Sequence, residues 1–359
     1  LKWIKHLFFV VVNVATLDRA FDEVIESKKE EDRRHPERPS VVARYIRLKP
    51  KIIYELRVEM MSRHYHLTLR PSFNRTERGK LRRITPPSFR DSVVFHAVII
   101  ALEPYLGPRF YFYSLGSIPG KGPWVGLNSL QSKLKDRKKE TKYCLQIDVR
   151  KFYDTIPRDL LMESFKRKIK DENFLWLLSV IIYEQPGRGL PLGAFSSGWF
   201  ANHYLDPIDH FLKQVLKMKY VYRYVDDMVI LGPNKKELHK VRIALDVQLK
   251  TLGLELKGNW QVYPVDCRKI DFLGFKTGRN VRIDRKRNMY EFARFTKKHG
   301  RTPTAGQAGS IESRRGRCRK FASQAFLETR IEPYTSRYKN RRILKNEAHR
   351  RIDETKQRA

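Results

Sequence analysis

The sequence predicts an α+β fold in which helices back an antiparallel sheet. Short apolar runs of strand length stand at Tyr143–Ile147, Tyr220–Tyr224 and Met228–Leu231, and the last two flank Asp226-Asp227 as the arms of a hairpin. Around them apolar residues recur at helical spacing, as over Ser88–Leu106 and Lys235–Thr251. The chain's 359 residues are 41% hydrophobic, enough for one large core divided into subdomains or for two small ones.

In chain order, Ile4–Ile25 reads as one helix packed on the body. Its apolar stretch, Leu7–Val12 followed by Asn13, Val14 and Ala15, is far shorter than the ~20 residues a membrane span needs. It follows Lys2 and Lys5 as a signal peptide would, but Asp18, Arg19, Asp22 and Glu23 stand where a cleavage site belongs. Leu1 in place of methionine implies that a natural start is missing. Ser27–Arg38 is almost wholly charged and reads as a solvated loop. Val41–His64 is a helix with Ile46, Ile53, Leu56 and Met60 near one face, and Arg70–Arg83 is a strand pair turning at Gly79. The glycine-rich stretch Gly116–Gly126 is not a nucleoside-triphosphate loop. Its glycines are one residue too close, and Gly122 replaces the hydroxyl residue that would hold magnesium. It is either a loop touching a backbone phosphate or a plain turn.

Pro157, whose missing N–H costs nothing at a helix start, opens a helix through Phe165. Gly189–Gly193 is a turn before a small-residue helix, Ser196–Phe211, and a strand pair surrounds Phe272–Phe275. Beyond Arg282 the chain is dense in arginine and lysine, with Tyr290, Phe292, Phe295, Phe321, Phe326, Tyr334 and Tyr338 among them, and Thr302–Gly309 reads as a flexible interruption.

Lysine and arginine total 74 against 39 acidic residues, a formal charge of +35. Such a surplus repels itself and points to a polyanionic partner, nucleic acid first and an acidic membrane surface second. The alternative is a merely soluble basic surface. Cys144, Cys267 and Cys318 are odd in number and widely spaced, which fits neither a zinc site nor a disulfide framework and suits a reducing, cytoplasmic setting.

Asp148 ends one strand and Asp226-Asp227 tips a hairpin, so the three acids meet if those strands are neighbours. Clustered carboxylates repel and persist where cations neutralise them. Mg²⁺ takes oxygen ligands at about 2.0–2.1 Å and shares sites with substrate phosphates. Two ions about 3.5–4 Å apart can activate a hydroxyl and stabilise a leaving oxygen, which is the chemistry of nucleotide addition.

Tyr224-Val225-Asp226-Asp227 resembles the YxDD box of reverse transcriptases. Asp148-Val149-Arg150-Lys151-Phe152-Tyr153 resembles their first catalytic motif, and Leu190-Pro191-Leu192-Gly193 with Ser197 and Phe200-Ala201-Asn202 the motif between. Lys80-Leu81-Arg82 with Asp91 resembles the fingers motifs. The set covers about Arg75 to Phe275. The resemblance implies a right-hand polymerase: N-terminal helices and fingers over 1–120, a palm over 121–277 (with 158–190 returning to the fingers), and a basic helical thumb over 278–359. It implies an RNA-directed DNA polymerase that binds template RNA, primer or cDNA and deoxynucleoside triphosphates.

By the same resemblance Asp148 and Asp226 hold two Mg²⁺ ions, with Asp227 a weaker ligand, the Val149 carbonyl completing a shell and Mn²⁺ a substitute. Arg82 contacts the triphosphate with Lys80 or Arg78 assisting. Tyr153 lies beneath the sugar and excludes a 2′-hydroxyl, its alternative being a core aromatic. Gly193 approaches the template–nucleotide pair, and Lys257 is a general acid or plain basic surface. Phe272-Leu273-Gly274-Phe275 resembles the hairpin that grips the primer. Leu192 stands where accurate enzymes have glutamine, which implies low fidelity; ordinary packing is the alternative.

Within the family the likeness is to bacterial and phage enzymes of diversity-generating retroelements, although Gly198 stands where their glutamine is expected. Those enzymes imply a structured RNA and a small basic accessory protein as partners, and no membrane. A phage-defence enzyme and a catalytically inactive RNA-binding scaffold are the alternatives. Retron signatures and the Gln-Gly of intron enzymes are absent from the sequence.

Overall fold

Asn13 divides the N-terminal apolar run. Its side-chain oxygen accepts the Ala15 backbone N–H at 2.9 Å, so α1 (Leu7–Val11) ends before it and α2 (Val14–Arg34) begins after it. The single helix expected over Ile4–Ile25 is therefore two, because a side chain that satisfies nearby backbone competes with helix continuation. The structure, a computed structural model, describes residues 3–34, 42–68, 70–77, 79–321 and 324–356. Within these, the charged run from Ser27 to Arg34 is helix, not the expected loop, since lysine, glutamate and arginine are good helix formers with ion pairs such as Lys29–Glu26 at 3.3 Å. Residues 35–38 of that expected loop lie outside the described residues.

In α3 (Val42–Met61) Ile53, Leu56 and Met60 are buried as expected, whereas Ile46 is half exposed. Strands β1 (Phe73–Glu77) and β2 (Lys80–Ile84) form the expected antiparallel pair turning at Gly79, whose φ is +78°. A reciprocal capping box between Ser88 and Asp91 starts α4 (Phe89–Leu106). An unanticipated helix, α5 (Pro123–Asp136), follows the glycine-rich loop. Next come β3 (Tyr143–Asp148), the single turn α6 (Phe152–Thr155), α7 (Arg158–Lys166) and α8 (Glu172–Tyr183). The Asp171 carboxylate caps α8 through the Phe174 N–H at 3.0 Å and receives the Phe8 N–H of α1 at 2.9 Å, tying two remote helices together. Helix α9 (Phe195–His210) precedes β4 (Tyr220–Tyr224), β5 (Asp227–Gly232), α10 (Lys235–Thr251) and β6 (Gln261–Pro264).

The α+β expectation holds. The four strands pair antiparallel in the order β4-β5-β3-β6, and β3 and β5 run through the middle. Strand β6 was not expected; it is short and ends in Pro264, as suits an edge. Apolar side chains of α1, α2, α4, α8, α9 and the sheet form one continuous core.

Residues from Arg268 onward form a second compact unit. Its three-stranded antiparallel sheet, β7 (Ile270–Phe272), β8 (Phe275–Thr277) and β9 (Arg282–Asp284), leads into α11 (Lys286–His299), α12 (Ala305–Phe321), α13 (Gln324–Arg330) and α14 (Arg337–Lys356). The interruption expected over Thr302–Gly309 stops at Ala305, because Thr304 and Gln307 form a capping box, with N–H···O distances of 2.9 and 3.3 Å. The apolar core here is small, formed by Phe292, Ile311, Cys318, Leu327 and Ile331. Arg315, Thr335 and Asn340 are buried as well. Among the described residues no helix is long and apolar enough to cross a membrane.

Candidate active site

Strand register brings the acids together. Asp148, the last residue of β3, lies opposite Asp227, the first of β5. Asp227 also pairs with Tyr224 of β4, which leaves Val225-Asp226 as a two-residue turn. The Asp226 carbonyl accepts the Val149 N–H at 3.3 Å, so the turn leans onto the chain just beyond β3. There the Asp148 and Asp226 carboxyl groups touch. Burial first, and then the Asp148 charge, push the Asp226 carboxyl up to about 6, while Arg82 opposes the rise. Asp227 is the strand partner of Asp148 in that register. Among the described residues no three histidine, cysteine, aspartate or glutamate side chains converge as metal ligands.

Lys257 lies not on β6 but on an extended segment alongside the end of β3. Its backbone N–H donates to the Asp148 carbonyl at 2.9 Å, and its Nζ sits 3.0 Å from Asp148 Oδ2. The proposed general acid is thus in direct contact with the first acid. Arg82, exposed on β2, is close enough for its charge to act on both Asp226 and Tyr153. Arg78 and the side chain of Lys80 lie outside the described residues. Asp91 is structural: buried, it caps α4 and accepts the Tyr65 hydroxyl at 2.9 Å.

Tyr153 follows α6's first residue and is held between core and cleft, and burial pushes its hydroxyl up to about 12, with Asp226 adding to the rise. It lines a cavity of about 520 Å³ with Leu192, Gly193, Tyr224 and the glycine-rich loop. Leu192 is fixed by its backbone: its carbonyl accepts the Thr85 N–H at 3.1 Å, joining the turn to the end of β2. Gly193 has φ +114°, and a Cβ there would stand 3.3 Å from both Ile84 Cγ2 and the Thr85 carbonyl oxygen. The φ favours glycine, and the close contacts leave little room for a side chain. Gly198, where a glutamine was expected, is explained by space, since a Cβ would lie 2.5 Å from Ser117 Oγ.

Lys121 of the glycine-rich loop turns inward, 3.1 Å from the Tyr111 carbonyl oxygen, and burial lowers its pKa. Its ammonium is therefore aimed at backbone carbonyls, and the loop serves as a cavity wall.

Sequence reading missed the groups that hold this site. Arg158 donates to the carbonyls of Gly189, Tyr183 and Pro186 at 2.9–3.3 Å and ties down the loop before Leu190. Arg223 of β4 is fully buried and paired with Asp209 of α9. An arginine inside the apolar run Tyr220–Tyr224 was the available signal, since buried charges need partners.

In the second unit Phe272 and Phe275 are buried and pair across the β7–β8 turn formed by Leu273-Gly274. Of the aromatics beyond Arg282, Phe292 is core while Tyr290 and Tyr338 are exposed, and the side chain of Phe321 lies outside the described residues.

The profile of a family described as reverse transcriptase (RNA-dependent DNA polymerase) matches residues 72–277, from just before β1 to the end of β8. Protein YkfC of Escherichia coli is 28% identical over 170 residues, covering 44% of this chain and 45% of the relative. The group II intron-encoded protein LtrA of Lactococcus lactis is 28% identical over 187 residues, covering 50% of this chain and 30% of the relative. This chain therefore spans less than half the length of either. A solved telomerase from Candida albicans, in complex with a TWJ fragment of telomeric RNA, aligns at 14% identity with a TM-score of 0.46, covering 80% of this chain and 61% of the telomerase.

Proposed function

This chain belongs to the reverse transcriptase family, whose profile spans more than half of it, and on that premise we propose that it is an RNA-directed DNA polymerase acting at Asp148 and Asp226. The observation that carries the reading is a pair of touching carboxyl groups on adjoining strand ends, one of them raised to about 6. A hard divalent cation fits this donor set, because Mg²⁺ is commonly held by one or two carboxylates plus substrate phosphates. Asp148, Asp226 and the Val149 carbonyl would hold two such ions, with Asp227 a weaker ligand and Mn²⁺ a substitute. Bound, they supply Lewis-acid activation of a primer 3′-hydroxyl and charge neutralisation at the leaving pyrophosphate.

The chain's own residues do the rest. Arg82 binds the triphosphate with a guanidinium suited to phosphate oxygens. Tyr153 lies beneath the deoxyribose and leaves no room for a 2′-hydroxyl. Gly193 admits the nascent pair, and Lys257 Nζ holds the proton that passes to pyrophosphate. Leu273-Gly274 and the basic helices of the second unit hold primer and template as grip and thumb. The limits proposed for fingers, palm and thumb are those set out from the sequence: 1–120, 121–277 and 278–359.

The finer reading is an error-prone enzyme of a diversity-generating retroelement. It would work in a bacterial cytoplasm with a structured RNA and a small basic accessory protein. Leu192 supports it, since leucine in the cavity offers no hydrogen bond to check a misaligned pair. An intron-type enzyme is the second reading, favoured by the likeness to an intron-encoded protein. In the retroelement reading, Leu192→Gln should lower misincorporation by roughly 2- to 13-fold, the worth of one hydrogen bond. Sequencing of cDNA from a defined RNA measures it, and an accurate wild type removes that reading. For the activity itself, Asp226→Asn should abolish Mg²⁺-dependent primer extension while RNA affinity holds within about twofold, phosphates being gripped by lysine and arginine elsewhere. Normal extension by the variant would refute the site, and RNA binding without extension by the wild type would favour a scaffold.

A further inference from the structure

Arg223 is an arginine with no exposure, inside a strand of the sheet, and its guanidinium is fully satisfied. Its Nε and Nη2 donate to the two oxygens of Asp209 at 2.8 and 2.5 Å. Nη2 also reaches Ser114 Oγ at 2.7 Å, and Nη1 reaches Asn202 Oδ1 at 3.0 Å. The last donor goes to the Val225 carbonyl at 3.1 Å. A guanidinium has five N–H groups in a rigid fork, and each has an acceptor here.

Val225 needs holding. Its φ is +58°, a conformation that costs an L-residue strain and a β-branched one most of all. Two restraints act on the turn it begins. The Val225 carbonyl is held by Arg223 from the α9 side, and the Asp226 carbonyl by the Val149 N–H from the β3 side. Gly116 backs the turn, for a Cβ there would stand 2.8 Å from Val225 Cγ2, and its own carbonyl accepts Asn202 Nδ2 at 2.7 Å. The orientation of the two turn peptides sets the direction in which the Asp226 side chain leaves the backbone.

We infer that the buried Arg223–Asp209 pair is a positioning device for nucleotide addition, which holds the Val225-Asp226 turn in its left-handed form and so aims the Asp226 carboxylate at Asp148. The inference rests on the reading of those two acids as metal-holding. A purely structural ion pair would stabilise the sheet against α9 and have no bearing on metal affinity or turnover once the protein is folded.

The test separates these roles by replacing the whole pair. Apolar residues of similar volume can take the place of a buried ion pair without loss of fold, and Ser114 Oγ already donates to Asn202 Oδ1 at 3.3 Å. The double variant Asp209→Leu, Arg223→Met should therefore fold with the wild-type circular-dichroism spectrum and bind RNA as the wild type does. Its turnover at saturating deoxynucleotide should fall at least tenfold, toward the roughly 100-fold that a ~1 Å misplacement costs, with KM little changed. Mn²⁺ binding, followed by electron paramagnetic resonance without substrate, should weaken about tenfold, the size of effect seen when groups orienting a metal ligand are lost. A folded double variant with wild-type turnover and Mn²⁺ affinity overturns the inference. If the double variant does not fold, Gly116→Ala decides: its Cβ displaces the turn and leaves the ion pair intact, so it should reproduce both losses, and wild-type behaviour overturns the inference. Should the wild type extend no primer, the polymerase reading fails instead, and the Mn²⁺ measurement still decides the positioning role.

Discussion

Two hairpins of this chain solve the same problem differently. The β4–β5 turn and the β7–β8 turn each join their strands with two residues, and each forces a non-glycine residue to positive φ, Val225 at +58° and Leu273 at +54°. Each is braced by an arginine that bonds a turn carbonyl and an aspartate. At the first, Arg223 and Asp209 are fully buried and joined at two points. At the second, Arg317 is one-third exposed, meets the buried Asp284 with one nitrogen at 2.9 Å, and lies 3.4 Å from the Gly274 carbonyl oxygen. Its guanidinium also covers the Phe275 ring at 4.6 Å. The turn that carries Asp226 is clamped in a desolvated network; at the other turn the Gly274 carbonyl is met by the Arg285 N–H at 3.3 Å and by Asn288 Nδ2 and Arg317 Nη2, both at 3.4 Å, in a partly exposed setting. Burial is what distinguishes the two braces, and a hydrogen-bond network restrains more when desolvated than when partly exposed to water.

Breaking the braces should expose this difference in stability first. Asp209→Asn leaves the buried Arg223 charge uncompensated and should cost about 3–5 kcal/mol. Asp284→Asn weakens hydrogen bonds to a charged acceptor and should cost about 1.5–3 kcal/mol. Denaturant unfolding followed by circular dichroism measures both, and equal losses would erase the contrast.

A smaller effect belongs to the acid in the first turn. The folded pKa of Asp226, about 6, lies above its ordinary 3.8. Its proton-linked stabilisation is therefore fully present below about pH 4 and lost as pH rises through about 6. In EDTA, the wild type should lose about 1–3 kcal/mol between pH 4 and pH 7 relative to Asp226→Asn. Superimposable pH profiles for the two proteins would mean that Asp226 is not raised. The smallest effects should follow relief of the strained φ values. In Val225→Gly and Leu273→Gly the ~1–2 kcal/mol released is offset by glycine's freedom in the unfolded chain, so stability should change by less than about 1 kcal/mol. Primer extension should nevertheless slow more in Val225→Gly than in Leu273→Gly; the reverse order would place the critical turn in the second unit.

Much of the first unit was legible because its signals are local. Helices α4 and α10 and the arms of the β4–β5 hairpin follow from apolar spacing and β-branched runs within a few residues. Errors arose where a local signal was overlooked or outweighed. Asn13 broke an apolar run into two helices, and the capping pair Thr304 and Gln307 began a helix inside a supposed interruption. Strand β6 has too few residues for any periodicity to mark it, and it forms because β3 offers a free edge.

By itself the sequence determined the α+β class and marked Asp148, Asp226 and Asp227 as candidate acids, since each is written in short patterns of residue type. Only the tertiary structure decided that Asp226 touches Asp148, that the glycine at position 193 has φ +114°, that Lys257 sits on Asp148, that Lys121 faces inward, and that Arg223 bonds both Asp209 and the Val225 carbonyl. Those facts depend on contacts between residues as much as 109 positions apart. Such contacts are set by strand register and helix packing, and neither leaves a periodic trace in the chain.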